Sequence, residues 1–116
     1  MPDDIPAIRA ELTACADEKP LDLIITTGGT GLSPRDVTPE ATLGILEREI
    51  RAIPVAMWMK GLKHTPRAML SRAVAGTRGH SLILNLPGSE KAARENLSAV
   101  IATLEHALRM MAAEGH

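Results

Sequence analysis

The sequence predicts an α/β fold on three observations. An apolar run from Leu21 to Thr26 leads without amphipathic alternation into Gly28-Gly29-Thr30-Gly31. A second run, Ser81 to Leu86, breaks at Pro87-Gly88-Ser89, and helical spacing of apolar residues precedes the first run and follows each of them. Runs of this kind read as strands buried on both faces, the signature of parallel sheets, and their alternation with helices gives α/β layers.

Taken in order, Asp4-Ile5-Pro6 opens the first helix, with Asp4 as the available cap and Pro6 in the first turn. Ile5, Ile8, Leu12 and Cys15 form one stripe running to about Ala16, and Asp17-Glu18-Lys19-Pro20 ends it. Leu21 to Thr26 is the first strand. Its glycine turn therefore lies at a strand's C-terminal end, where open α/β sheets place their ligands. Thr38 is expected to cap the next helix with Pro39 in its first position, and Leu43, Leu46 and Ile50 supply a buried face up to Pro54. Pro54 to Leu62 reads as a short helix, Pro66 to Ser71 as a turn or helix, and Ala73 to Ala75 as a short strand. Ser81 to Leu86 is the second clear strand. The last helix carries Ala93, Leu97, Val100, Ile101, Leu104, Leu108 and Met111 at helical spacing, and Gly115 lies beyond its end.

At 116 residues the chain fits a single domain, residues 1–116. Trp58 is the only aromatic residue, so the core is built from Leu, Ile, Val, Ala and Met. No apolar run reaches the length of a membrane span, and Met1-Pro2-Asp3-Asp4 does not open a signal peptide, which points to the cytoplasm. Cys15 is the sole cysteine and forms no internal disulfide; its place on the helical stripe makes it a packing residue, with a reactive thiol as the alternative. His64, His80, His106 and His116 lack metal-ligand spacing with one another or with Cys15.

The net charge is only −1, yet no Asp or Glu occurs from Ile50 to Ser89, where Arg51, Lys60, Lys63, Arg67, Arg72 and Arg78 all fall. This basic middle is either a solvated or oligomer-contacting face or a positive rim for a phosphorylated substrate. Without stacking aromatics beside the cations it does not suit a nucleic-acid groove.

The glycine turn is the strongest functional signal. Thr27, Gly28, Gly29, Thr30 and Gly31 offer backbone N–H groups and hydroxyls to an anion, and Arg35 and Asp36 follow within a few residues. Neither a P-loop lysine nor Gly-x-Gly-x-x-Gly is present. Ser71 has no Asp-His partners at recognisable positions, so it reads as a hydrogen-bonding group and not a hydrolase nucleophile. Pro87-Gly88-Ser89 opens a helix whose N-terminus suits an anion, or Ser89 simply caps it.

Thr26-Thr27-Gly28-Gly29-Thr30-Gly31 with Pro34-Arg35-Asp36-Val37-Thr38-Pro39-Glu40-Ala41-Thr42 resembles the molybdopterin adenylyltransferase family, which includes the Mog and MoaB proteins and the G domain of gephyrin. Thr65-Pro66, Ala68-Met69-Leu70-Ser71-Arg72, Ala75-Gly76, Arg78-Gly79 and Asn85-Leu86-Pro87-Gly88-Ser89 follow in the family order. The resemblance implies a three-layer α/β/α fold with a mostly parallel sheet, and a homotrimer. It also implies transfer of AMP from ATP to the terminal phosphate of molybdopterin, with Mg²⁺ as cofactor and a downstream molybdotransferase as partner.

By the same resemblance Asp36 and Asp3 are the catalytic and metal-holding carboxylates, Asp36 alternatively capping the helix at Thr38. Ser71 and Asn85 match positions near the pterin pocket, and Arg72 holds either a substrate phosphate or a neighbouring subunit. Family members place a strand, a Ser-Asp loop with glycines, a helix and a second strand before the segment matching Pro2-Asp3, so the chain reads as N-terminally shortened. The alternative function is then a non-catalytic molybdopterin-binding module. The family's Gly near Ala52, Glu near Val55 and Arg near Trp58 are also replaced here, which removes one substrate contact or makes an apolar patch of Met57-Trp58-Met59.

Overall fold

The computed structural model describes residues 4–114. In chain order they form α1 (Ile5–Thr13), a π turn (Ala14–Glu18), β1 (Leu23–Thr27), α2 (Thr38–Leu43), β2 (Arg48–Glu49), α3 (Ala52–Leu62), a 3₁₀ turn (Pro66–Leu70), β3 (Ala75–Arg78), β4 (Ser81–Leu86) and α4 (Glu90–Glu114). The strands make one sheet in the order β1-β4-β3-β2.

β4 is the centre of the molecule, with every one of its six residues buried. Side chains alternate across a strand. Leu82, Leu84 and Leu86 accordingly pack on one face with Met57 of α3 and Val100 and Leu104 of α4. Ile83 points to the other face and joins Ile24, Ile8 and Leu12 of α1, and Ala41 of α2. Helices thus cover both faces, which gives the expected three α/β/α layers. Cys15 packs beside the second cluster.

The sheet is mixed where a mostly parallel one was expected. β1 and β4 are parallel, with Thr26 opposite Asn85, but the chain reverses tightly through Gly79 and His80, so β3 and β4 pair antiparallel, as do β2 and β3.

The long helix expected from Thr38 to Pro54 is three elements. α2 ends after Leu43, which is exposed, and the chain turns at Gly44. Glu47 N–H then donates to the Thr77 carbonyl and Ile50 N–H to that of Ala75, both at 2.8 Å, drawing the segment onto the free edge of β3. Glycine at position 76 permits that approach, because a Cβ there would run into the Arg48 carbonyl. Thr38 does not cap α2: Val37 holds the cap position, and no side chain caps this end. The strand expected at Ala73 begins its pairing at Ala75.

Candidate functional site

β1 and β4 run side by side in the same direction, so the two loops leaving their C-terminal ends meet. Gly28 N–H donates to the Leu86 carbonyl at 2.9 Å, and a Cβ on Gly88 would lie 3.3 Å from the Gly28 Cα. Gly28 and Gly29 take φ of 87° and 69°, in the left-handed region that favours glycine. A Cβ on Gly29 would also strike Thr38 Oγ1, and Thr38 N–H donates to the Gly29 carbonyl at 3.2 Å. The turn is thereby folded back onto the start of α2.

Asp36 lies half-buried at the end of this loop, its Oδ2 accepting from Ser33 N–H at 2.9 Å. That oxygen is 2.9 Å from where a Cβ on Gly31 would sit, so glycine at 31 leaves the carboxylate its place beside the turn. Asp36 is not a cap of α2. Asp3, the second expected carboxylate, lies outside the described residues.

Arg72 serves the loop. Its Nε donates to the Gly31 carbonyl at 2.8 Å, Nη2 to the Asp36 carbonyl at 2.6 Å and Nη1 to Glu40 Oε2, while its backbone N–H donates to the Thr30 carbonyl at 2.9 Å. Three of the five guanidinium N–H groups thus fasten the segment from Gly31 to Glu40. The hydrogen bond from Arg72 holds the Glu40 carboxyl below its ordinary value.

Asn85 is fully buried and lines neither of the two clefts described below. Its Oδ1 accepts from Val74 N–H at 3.1 Å, and its Nδ2 donates to Thr26 Oγ1 at 2.8 Å and Thr42 Oγ1 at 3.1 Å. Thr42 passes the chain on by donating to the Thr38 carbonyl at 2.8 Å. Asn85 therefore ties β1, β4 and α2 together beneath the turn.

Beside the turn opens a cleft of about 460 Å³ between the glycine loop, α3, the 3₁₀ turn and α4. Of the residues selected from sequence, Thr30, Gly31, Ser71, Pro87 and Ser89 line it. Ser89 also caps α4, its Oγ accepting from Ala92 N–H at 3.1 Å. Thr27, Gly28, Gly29 and Gly88 sit at the strand ends behind this wall. Arg67, from the basic middle, and Lys91 bring positive charge to the lining, and His64 reaches Glu95 at 3.2 Å across it.

Sequence reasoning missed Asn96 altogether and left Trp58 without a role, yet both line the cleft. The available signal for Asn96 was a polar residue one position before Leu97 on the stripe from Ala93 to Val100. A second cleft of about 530 Å³, between β2, the β3–β4 reversal and α4, holds none of the selected residues.

Among the described residues no group of three or more His, Cys, Asp or Glu could enclose a metal ion. A lone carboxylate beside a glycine turn is nonetheless a donor set that Mg²⁺ uses where phosphates of a ligand and water complete its shell. Asp36 beside Gly31 fits that use. No helix among the described residues is long and apolar enough to cross a membrane.

Residues 1–106 match the family model described as "Probable molybdopterin binding domain". The chain is 45% identical over 111 residues to the molybdenum cofactor synthesis protein cinnamon of Drosophila melanogaster, covering 96% of this chain and 18% of that protein. It is 46% identical over 100 residues to the molybdopterin adenylyltransferase of Haemophilus influenzae, covering 86% and 51% respectively. It thus spans about half the length, or less, of these two relatives. Among solved structures, the molybdopterin biosynthesis enzyme MoaB of Thermus thermophilus superposes with a TM-score of 0.88 at 55% identity, over 94% of this chain and 69% of that one.

Proposed function

Because the chain belongs to the family of probable molybdopterin-binding domains, we propose that it acts in molybdenum cofactor biosynthesis, transferring AMP from ATP to the terminal phosphate of molybdopterin. In this reaction a phosphate oxygen of molybdopterin bonds to the α-phosphorus of ATP, and the bond from that phosphorus to the bridging oxygen of pyrophosphate breaks. Two anions must approach each other, so the site has to supply donors and cations around their oxygens.

One observation carries the reading: the Gly28–Gly31 turn, the Pro87-Gly88-Ser89 loop and the Asp36 carboxylate converge at the C-terminal ends of two adjacent parallel strands. The turn and Ser89 bind phosphate oxygens, and Ser71 with the cleft wall receives the rest of the substrate. Asp36, with Asp3, would hold Mg²⁺, which would supply charge neutralisation at the phosphates. Arg72 acts indirectly, by keeping Gly31 and Asp36 in place. Activity as a cytoplasmic homotrimer and delivery to a molybdotransferase belong to the same proposal.

The test is molybdopterin-dependent AMP transfer from Mg²⁺-ATP by the purified protein beside Asp36→Asn, with circular dichroism showing both to be folded. Turnover lost only in the variant supports the reading. A folded parent without turnover refutes it in favour of a binding module.

A further inference from the structure

Two polar side chains at the cleft have no hydrogen-bond partner among the described residues, and the polar atom of one of them, Trp58, is wholly buried. Asn96 is 6% exposed, and its amide makes no hydrogen bond among the described residues. The Nε1–H of Trp58 is buried and has no acceptor among the described residues. Both residues line the cleft, and the Asn96 Oδ1 lies 3.6 Å from the place a Cβ would take on Gly61, another lining residue. Buried polar groups are nearly always paired, and leaving one unpaired has a cost. The Trp58 indole N–H is such a group, and with the unpartnered Asn96 amide on the same cleft it marks where a ligand's polar atoms complete the structure.

Their chemistry restricts the ligand. Indole nitrogen only donates, so it needs an acceptor, whereas a carboxamide donates and accepts, so it needs a neighbouring acceptor and donor. Neither group is charged, and phosphate, which has acceptors only, would leave the Asn96 oxygen unpaired. The complementary ligand surface is the amide- or amidine-like edge of a planar nitrogen heterocycle. Pterins and adenine both present one. We propose that Trp58 and Asn96 are the specificity-determining residues of the cleft, reading the hydrogen-bonding edge of the substrate's heterocycle while the glycine turn holds its phosphate. The inference rests on the adenylyl-transfer reading for the identity of the substrate.

Trp58 is the only aromatic residue of the chain, so its fluorescence reports this cleft and nothing else. The probes are 6-hydroxymethylpterin, AMP, and 6-hydroxymethyllumazine, in which a carbonyl replaces the pterin's 2-amino donor. Binding is followed by tryptophan emission in the parent and by calorimetry in Trp58→Phe and Asn96→Leu. Both variants remove a group that has no partner in the fold, and circular dichroism checks that they fold.

In the parent, pterin should change the emission and bind more tightly than lumazine. Each variant should weaken pterin about 10-fold, the equivalent of one hydrogen bond. Asn96→Leu should also erase the preference for pterin over lumazine, which a merely structural role would not touch. Pyrophosphate affinity should stay within about twofold of the parent, because that ligand engages the turn and not these residues. The same pattern with AMP in place of pterin also supports the proposal and assigns the nucleotide base to the cleft.

No emission change with either heterocycle, or folded variants that bind both as the parent does, overturns it. The two readings fail separately. AMP transfer with unchanged KM values for both molybdopterin and ATP in both variants sinks this inference alone, and absent transfer with binding still dependent on Trp58 and Asn96 sinks the catalytic reading alone.

Discussion

Replacing Asn85 by leucine distinguishes a strut from a ligand contact. Leucine keeps the branched four-atom outline of asparagine and leaves no cavity at the fully buried site, its bulkier methyl groups adding some overpacking to the loss. What it removes is the acceptor for Val74 N–H and the donors to Thr26 Oγ1 and Thr42 Oγ1. The orphaned Val74 N–H alone costs about 1–3 kcal/mol, and each neutral bond to a threonine contributes about 1 kcal/mol, against which the apolar gain of leucine is set. The expected loss is about 3 kcal/mol. A domain of 116 residues at about 0.05–0.15 kcal/mol per residue survives that loss and stays measurable.

Urea unfolding gives the number, with an unchanged slope showing that the same surface unfolds. Thr42→Val removes the Asn85 bond and the one to the Thr38 carbonyl, and Thr26→Val removes one, so the losses should rank Asn85→Leu, Thr42→Val, Thr26→Val. An Asn85→Leu protein within about 0.5 kcal/mol of the parent refutes the accounting. Unchanged stability with a raised KM for molybdopterin would return Asn85 to the ligand.

Arg72→Met removes two charge-assisted bonds to backbone carbonyls and an exposed ion pair, about 3 kcal/mol of local restraint, so amide exchange from Gly29 to Thr38 should quicken by on the order of 100-fold; unchanged exchange would show the loop holding itself. Gly31→Ala pushes a methyl to 2.9 Å from Asp36 Oδ2, so AMP transfer should fall by more than about 10-fold while the unfolding midpoint barely moves; a fall in stability without loss of transfer would contradict the placement of Asp36. Hydrogen bonds from Arg72 and Arg78 lower the folded pKa of Glu40 and Asp17 from ordinary values of 4.5 and 3.8. Lowered carboxylates stabilise above the unfolded pKa and lose that contribution as pH falls through the folded one. Stability should therefore drop below about pH 4.5, with a shallower drop in Glu40→Gln, and equal slopes in the two proteins would remove Glu40 from the account.

β1, β4 and the last helix were legible because burial imposes their pattern: β4 is buried throughout, and a mostly apolar run without alternation suits such a strand, Ser81 and Asn85 being its hydrogen-bonded exceptions. The stretch from Thr38 to Pro54 was not. Leu43, Leu46 and Ile50 keep helical spacing, but Leu43 is exposed and Ile45, off that stripe, is buried, because backbone bonds to β3 outweigh periodicity once Gly44 has turned the chain. At the site, the glycines and Asp36 stood out because few other residues allow that turn. Arg72 and Asn85 carry the same donors whether they face a ligand or a carbonyl, and only the fold shows that they face inward. Asn96 was hidden by the reverse effect, as one polar residue inside a stripe that otherwise reads as core.

β1 has a partner on one side only among the described residues. Its other side is a row of amide and carbonyl groups beside the half-exposed Ile25, and such a row matches any extended backbone regardless of sequence. The strand that leads into the glycine turn thus carries, among the described residues, one unpaired edge. An extended segment laid along that edge would lie directly beside the Gly28–Gly31 turn, because the edge and the turn belong to one continuous stretch of backbone.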